Sequence, residues 1–486
     1  MLTFRVLGFH FHVLPMRTRF PFRYGIASLD WLPHVVVTVD LEVAGKACRG
    51  MTAEGLPPKW FTKNPETPFE ADLAEMIAVI QNAARIGKNA GQTSGVFSGW
   101  WRAVQDEQTN WAGLRAVPPL LAGLGVSVVE RAVLDGLCRA VGKPLHELLR
   151  VGALVPDLGV VRESLAGISP DKVLPATPMK KVVARHTVGL GDWLREADVP
   201  ATAFPEDGLP VSLEACIRAY GLTHFKIKVG GDLESDRERL RRVFEIADEQ
   251  AAGDWCCTLD GNEMFVEMSA LRSYYEALEA DDRLREGLKR VLFLEQPLRR
   301  DVCLGAEVGV ELAKWHGAPR LLLDEGDGSL SSLPEALRLG YSGVSHKNCK
   351  GILKGLANLA LIQQAEAQDG LARCVSGEDL ANVGPVALNQ DLAVQALLGV
   401  THVERNGHHY FKGLSMWPPE VQEAVLAAHA DLFQRHERGF AALEVRSGRI
   451  ALDSVNAAPF GCGIGLDWVE KLEPLAAWIR RGGMAD

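Results

Sequence analysis

The stretch Thr223-His224-Phe225-Lys226-Ile227-Lys228-Val229-Gly230 decides how this chain is read. Successive side chains on a β-strand point to opposite faces, so Lys226 and Lys228 share one face and Phe225, Ile227 and Val229 the other. Two ammonium groups aimed into an ordinary apolar core would be costly to desolvate, and they call for acidic partners or a chemical task.

The acids follow in order: Leu259-Asp260-Gly261-Asn262, Leu294-Glu295-Gln296-Pro297 and Leu323-Asp324-Glu325-Gly326. Each closes a short apolar run. The full series of runs lies at 182–188, 224–229, 255–259, 291–294, 320–323, 343–346, 372–375 and near 401–403. Between them stand helix-length stretches such as 233–250, 268–286, 305–315 and 352–367. A strand-helix unit repeated about eight times predicts an α/β fold, a TIM-like (β/α)8 barrel. An open doubly wound sheet would carry a glycine-rich phosphate loop after its first strand, and none is present.

The C-terminal ends of barrel strands form one rim, so Asp260, Glu295 and Asp324 are expected to converge. Adjacent carboxylates repel, so either one holds a proton or a cation sits among them. A hard divalent ion such as Mg²⁺ suits an all-oxygen set. Any one of these acids alone fits a solvated loop or a helix N-cap; three in register behind a Lys-x-Lys strand are harder to explain that way. The next run ends Ser345-His346-Lys347-Asn348, bringing a third lysine to the rim, with Lys350 competing for its role.

Residues 1–181 read as a separate α+β capping domain and linker. Strands are expected at 4–13 and 34–43, with a turn at Ala44-Gly45-Lys46, loops at 21–29 and 51–60, and helices at 68–86, 128–141 and 144–149. The proline-containing 150–181 is read as a linker with hairpin character. The barrel occupies 182–410. In 411–486 a helix at 418–435 precedes a hairpin of 441–445 and 449–452, expected to rejoin the N-terminal sheet.

The 486 residues carry a formal charge of -10 and no basic cluster, which argues against a nucleic-acid partner. Nine scattered cysteines without a CxxC pair fit reduced thiols in a cytoplasmic protein. Residues 1–22 are interrupted by Arg5, His10, His12, Arg17 and Arg19 and are read as a strand, not a signal peptide. No stretch approaches the roughly 18 apolar residues of a membrane span.

The order Lys-x-Lys, Asp, Glu, Asp, Lys over consecutive strands resembles the enolase superfamily, and within it the muconate lactonizing enzyme-like subgroup of the mandelate racemase/muconate lactonizing enzyme family. Pro21-Phe22-Arg23-Tyr24-Gly25 and Ala132-Val133-Leu134-Asp135 resemble the capping domain of that family. The resemblance implies Mg²⁺, with Mn²⁺ as a substitute, held by Asp260, Glu295 and Asp324. It implies Lys228 and Lys347 as acid/base groups on opposite faces of a small carboxylate substrate, with Lys226 as an electrostatic neighbour that holds the substrate carboxylate. The reaction class is proton abstraction α to a carboxylate through an enediolate, giving racemisation, epimerisation, elimination or cycloisomerisation. Arg23, Tyr24 and Trp60 in the cap, and Asn262, Glu378 and His408 at the rim, are the candidate substrate contacts. Homo-oligomers are common for such barrels. Two other readings stand beside this one. An acid-sugar dehydratase of the mandelate racemase type would need a His-Asp pair on later strands, and none of His346, His402, His408 and His409 lies in a His-x-Asp arrangement. A non-catalytic metal-binding barrel is the other.

Overall fold

The Lys-x-Lys strand is the second of eight parallel strands that close on themselves. The computed structural model describes residues 1–203 and 205–485. Its barrel runs through Lys181–Val188, His224–Lys228, Cys256–Asp260, Val291–Glu295, Leu321–Leu323, Gly343–His346, Cys374–Gly377 and His402–Arg405, and the eighth strand pairs with the first. Every run read from the sequence is a strand, so the expected barrel is found. Phe225 and Ile227 pack outward against the helical layer while Lys226 and Lys228 point into the barrel, all four buried. Helices absent from the sequence reading lie at Leu213–Tyr220, Ser332–Leu339 and Ala387–Leu397.

The N-terminal lobe is an antiparallel meander of β1 (Thr3–Tyr24), β2 (Ala27–Val43) and β3 (Lys46–Gly55). It packs against α1 (Phe69–Ala90), α2 (Phe97–Gly113) and α3 (Pro119–Val141). Sheet and α3 come so close that a Cβ on Gly50 would lie 2.2 Å from the Ala132 carbonyl oxygen, so no larger residue fits.

Several boundaries differ from expectation for identifiable reasons. Residues 21–29 are not a loop: β1 runs on to Tyr24, turns at Gly25-Ile26 and returns as β2. The prolines at 15, 21 and 33 mask a period-2 pattern in which Phe20, Phe22 and Tyr24 are buried and Pro21 and Arg23 exposed. Likewise β3 extends into the expected 51–60 loop as far as Gly55. Helix α1 passes through Gly87, whose carbonyl accepts the Trp100 indole N–H at 2.8 Å, and ends at Gly91. Helix α3 begins earlier than expected, with Pro119 at its first turn, where a missing N–H costs nothing. The 150–181 segment contains three single 3₁₀ turns and, among the described residues, no hairpin.

The expected C-terminal hairpin is also different. Ala441–Leu443 pairs with Phe433–Arg435, while Arg449–Ala451 joins the first barrel strand antiparallel. The return to the cap is made further on, where Glu473–Pro474 pairs with β1. All nine cysteines are free. Among the described residues no helix is long and apolar enough to cross a membrane.

Buried polar groups seat the cap on the barrel. Arg131 of α3 donates to the Ala53 carbonyl and pairs with Glu54 at 2.9 Å, and Glu54 in turn accepts from Asn382 of the barrel. Its neighbour Glu130 accepts the first two N–H groups of helix Ile352–Asp369, from Ile352 at 2.8 Å and Leu353 at 2.9 Å. Burial pushes the Glu130 carboxyl from 4.5 up to about 7, with the two backbone donors and Arg131 pulling the other way. A folded pKa above the unfolded one means that this group's contribution is full below about pH 4.5 and lost as pH rises through about 7. The stability of wild type relative to Glu130→Gln should therefore fall by about 3 kcal/mol between pH 4.5 and 8, read from urea melts at each pH.

Candidate active site

Strand register places the chemistry. Lys228 pairs with Asp260 and Asp260 with Glu295, so one lysine and two acids stand level on adjacent strands at the C-terminal rim. Gly261, just past Asp260, leaves no room for a side chain, since a Cβ there would lie 2.7 Å from Pro297 Cα. Asp324 and Lys347 directly follow the fifth and sixth strands, and Glu378 follows the seventh.

The lysines are 1%, 6% and 3% exposed at positions 226, 228 and 347, so water does not neutralise them; carboxylates do. Lys226 Nζ lies 3.0 Å from Asp260, 2.8 Å from Glu295, 2.7 Å from Glu378 and 3.1 Å from Glu404. Lys228 Nζ meets Asp260 Oδ2 at 2.5 Å. Lys347 Nζ lies 2.6 Å from both Asp324 and Glu378, beneath the Trp60 ring at 5.3 Å from its centroid. Lys350 is spent on the Asp324 carbonyl and carboxylate and on the Ser345 carbonyl, and does not line the pocket. Of the two competing lysines, Lys347 reaches it.

Burial opposes the charge on Lys226, but Asp260, Glu295, Glu378 and Glu404 outweigh it and hold the amine well above the ordinary lysine range. The same contest at Lys347 is won by Asp324 and Glu378. Burial would raise Glu378, yet Lys226, Lys347 and Arg185 hold it far below the usual carboxylate range. Glu295 has too few cations: burial first, then Glu378 and Asp260, push it well above the usual range despite Lys226.

The oxygens of Glu295, Asp324 and Glu378 lie within 4.8 Å of one another, an all-carboxylate donor set. This fits a hard divalent cation such as Mg²⁺. Asp260, expected in that set, turns one oxygen to Lys226 and Lys228 and lies beside it. Glu378, expected as a substrate contact, is instead a central carboxylate. The sequence reading ended its strand at Val375, two residues early, and so hid that Glu378 directly follows the strand as Asp324 follows its own.

Over the rim the cap supplies Phe22, Tyr24, Leu29, Pro57 and Trp60, and the seventh loop Leu380 and Ala381. Asn262 lines the same pocket, beside Asp379, Glu404 and Asn406. The space left is about 40 Å³, room for a water molecule or two. Asn262 and Ala381 hold positive φ values of 39° and 57°, strained conformations that fix these loops at the pocket wall. The lid is tied down: Arg300 donates to the Trp60 and Phe61 carbonyls at 3.0 and 2.7 Å while pairing with Glu263 at 2.7 Å. Tyr24 donates its hydroxyl to the Pro58 carbonyl at 2.8 Å.

Two expected contacts are not brought to the pocket. Arg23 is exposed, since strand alternation turns it away from the face that carries Phe22 and Tyr24. His408 lies in a neighbouring cavity, 3.2 Å from His186, and Asn406 takes the place expected of it.

No protein-family model matches the chain. Over 236 residues, 45% of this chain, it is 26% identical to an L-galactonate dehydratase of Hypocrea jecorina, and it spans only about half (47%) of that relative's length. Solved structures with this fold include an enolase from Bradyrhizobium complexed with magnesium and mandelic acid, at a TM-score of 0.58 and 15% identity over 97% of this chain and 99% of that one. A mandelate racemase/muconate lactonizing protein from Herpetosiphon aurantiacus matches at 0.58 and 17% over 93% and 97%. A dipeptide epimerase from Enterococcus faecalis V583, complexed with Mg and the dipeptide L-Leu-L-Tyr, matches at 0.58 and 15% over 94% and 99%. At such identities the likeness is one of fold, the barrel-and-cap architecture that the sequence resemblance led us to expect.

Removing Glu378 would strip a shared carboxylate from Arg185, Lys226 and Lys347 together. Glu378→Ala should lose about 3–5 kcal/mol of stability in denaturant melts, the cost of leaving buried charge unpaired, whereas Arg23→Ala at the exposed position should change stability by less than about 0.5 kcal/mol.

Proposed function

We propose that this chain is an enolase-superfamily enzyme that abstracts a proton α to the carboxylate of a small acid. The observation that carries this reading is the set of three buried lysines interleaved with buried carboxylates at the mouth of a closed barrel, under an aromatic lid. A proton beside a carboxylate is very weakly acidic, so its removal needs strong stabilisation of the enediolate and an amine to accept it. A divalent cation supplies that stabilisation when bound; Glu295, Asp324 and Glu378, with Asp260 beside them, are the residues that would hold it.

The lysines are not equivalent. Lys347 is pinned between two carboxylates and held charged, which suits a proton donor. Lys228 has one carboxylate partner and faces the same pocket, which suits the base. Lys226 lies deeper, among four carboxylates, and places positive charge beneath the substrate carboxylate. Proton removal by one lysine and return by the other gives racemisation or epimerisation; with Lys347 protonating a leaving group the same pair supports elimination.

The lid side of the pocket favours an apolar body, while Asn262, Asp379, Glu404 and Asn406 on the rim can hydrogen-bond a polar substituent. Phe22, Leu29, Trp60 and Leu380 offer no hydrogen bonds from their side chains toward a polyol apart from the indole N–H, and the Tyr24 hydroxyl is already used. No histidine lines the pocket among the described residues, which weighs against the acid-sugar dehydratase built on a His-Asp pair.

Incubation with Mg²⁺ and a panel of α-substituted carboxylic acids in D₂O, followed by proton NMR, tests the reading. We expect deuterium at the α carbon, abolished by chelation and slowed about 10²–10⁴-fold in Lys228→Ala. Exchange that persists in both Lys228→Ala and Lys347→Ala would sink it.

A further inference from the structure

The first barrel strand carries Arg185 and Thr187 inward, onto Glu378 and Glu404. His186 between them therefore faces out, toward helix Leu213–Tyr220, which bears Cys216. His409, from the short helix Gly407–Tyr410 after the eighth strand, completes a cluster outside the barrel wall. One ligand atom from each of His186, Cys216 and His409 lies within 4.8 Å of the other two, and all three residues are buried.

We propose that His186, Cys216 and His409 form a second metal site that takes a zinc-class ion. The donor chemistry separates it from the barrel mouth: one sulfur and two imidazoles select a borderline-soft ion, whereas the carboxylates select a hard one. Tetrahedral zinc with nitrogen at about 2.0 Å and sulfur at about 2.3 Å spaces its ligands at about 3.3–3.6 Å. The Cys216 Sγ to His409 Nδ1 separation is already 3.5 Å. Burial holds both histidines well below their ordinary pKa and so neutral, and it pushes the Cys216 thiol up, so the ion itself must displace the thiol proton. Binding would cost one proton, released as the Cys216 S–H bond gives way to a sulfur–zinc bond.

Asp192 balances the remaining charge. Its Oδ2 accepts from the Gly189 N–H and the Tyr410 hydroxyl and lies 3.9 Å from His409 Nε2. Its Oδ1 is buried without a hydrogen-bond partner. The other charged and titratable groups nearby include Arg19, Arg239, His408 and Tyr220. The site lies where the cap meets the barrel: Phe20 packs its ring on His409, and Arg19 donates to the His409 carbonyl at 2.6 Å. A metal here would sit in the barrel wall at the point where the end of the cap hairpin packs.

The test uses tag-free full-length protein purified without chelators. Elemental analysis after dialysis against excess Mg²⁺ should retain about one equivalent of zinc, and X-ray absorption should show one sulfur and two imidazole nitrogens around it. Cobalt substitution should give a thiolate charge-transfer band that Cys216→Ser abolishes and Cys138→Ser leaves intact, with far-UV circular dichroism unchanged. No retained zinc, an all-oxygen shell in the wild type, or a cobalt band that survives Cys216→Ser would overturn the proposal. The wild-type spectra decide the matter even if Cys216→Ser does not fold, and none of these readouts depends on the proposed proton transfer.

Discussion

Lys226 is the constraint on which the barrel interior is built. An ammonium group with almost no solvent access cannot exist as a lone ion in a protein core. It is tolerated because four strands each bring a carboxylate within 3.1 Å of it. Those carboxylates repel one another, so they in turn require Lys228, Lys347 and Arg185. Each charge is thus the condition for its neighbours. Because the partners come from different strands, the network can form only when the barrel has closed.

This interdependence explains what was legible in the sequence. Two lysines on one face of a strand already implied acids nearby, and Asp260, Glu295 and Asp324 could be found because each ends an apolar run. Glu378 was seen but given a lesser part, because the seventh strand is only partly apolar and its end was misplaced. Arg185 was missed altogether, and Glu404 was given no role in the site. An arginine or glutamate within a short mixed run carries no local mark of burial; only barrel closure, which sets the first strand against the eighth, shows where they point.

The cap was read less well than the barrel for a related reason. Barrel units repeat, so one clear strand-helix pair helps to locate the next, whereas β1 and β2 are long, irregular and interrupted by prolines. Arg23 and Tyr24 were both expected contacts because they were read as lying in a cap loop that closes over the rim; the segment is a strand, and it separates them by facing. Phe22, part of the capping-domain motif but not among the expected contacts, lines the pocket and stacks on Tyr410 at 4.2 Å between ring centroids.

The tether between Arg300 and the Trp60–Phe61 carbonyls has a consequence for entry. It joins the lid to the loop that follows Glu295, so the roof of the chamber and one wall of its charged floor travel together. A ligand entering from that side would have to part the Arg300 guanidinium from two carbonyl oxygens and the Lys63 ammonium from the Asn262 carbonyl and Glu263.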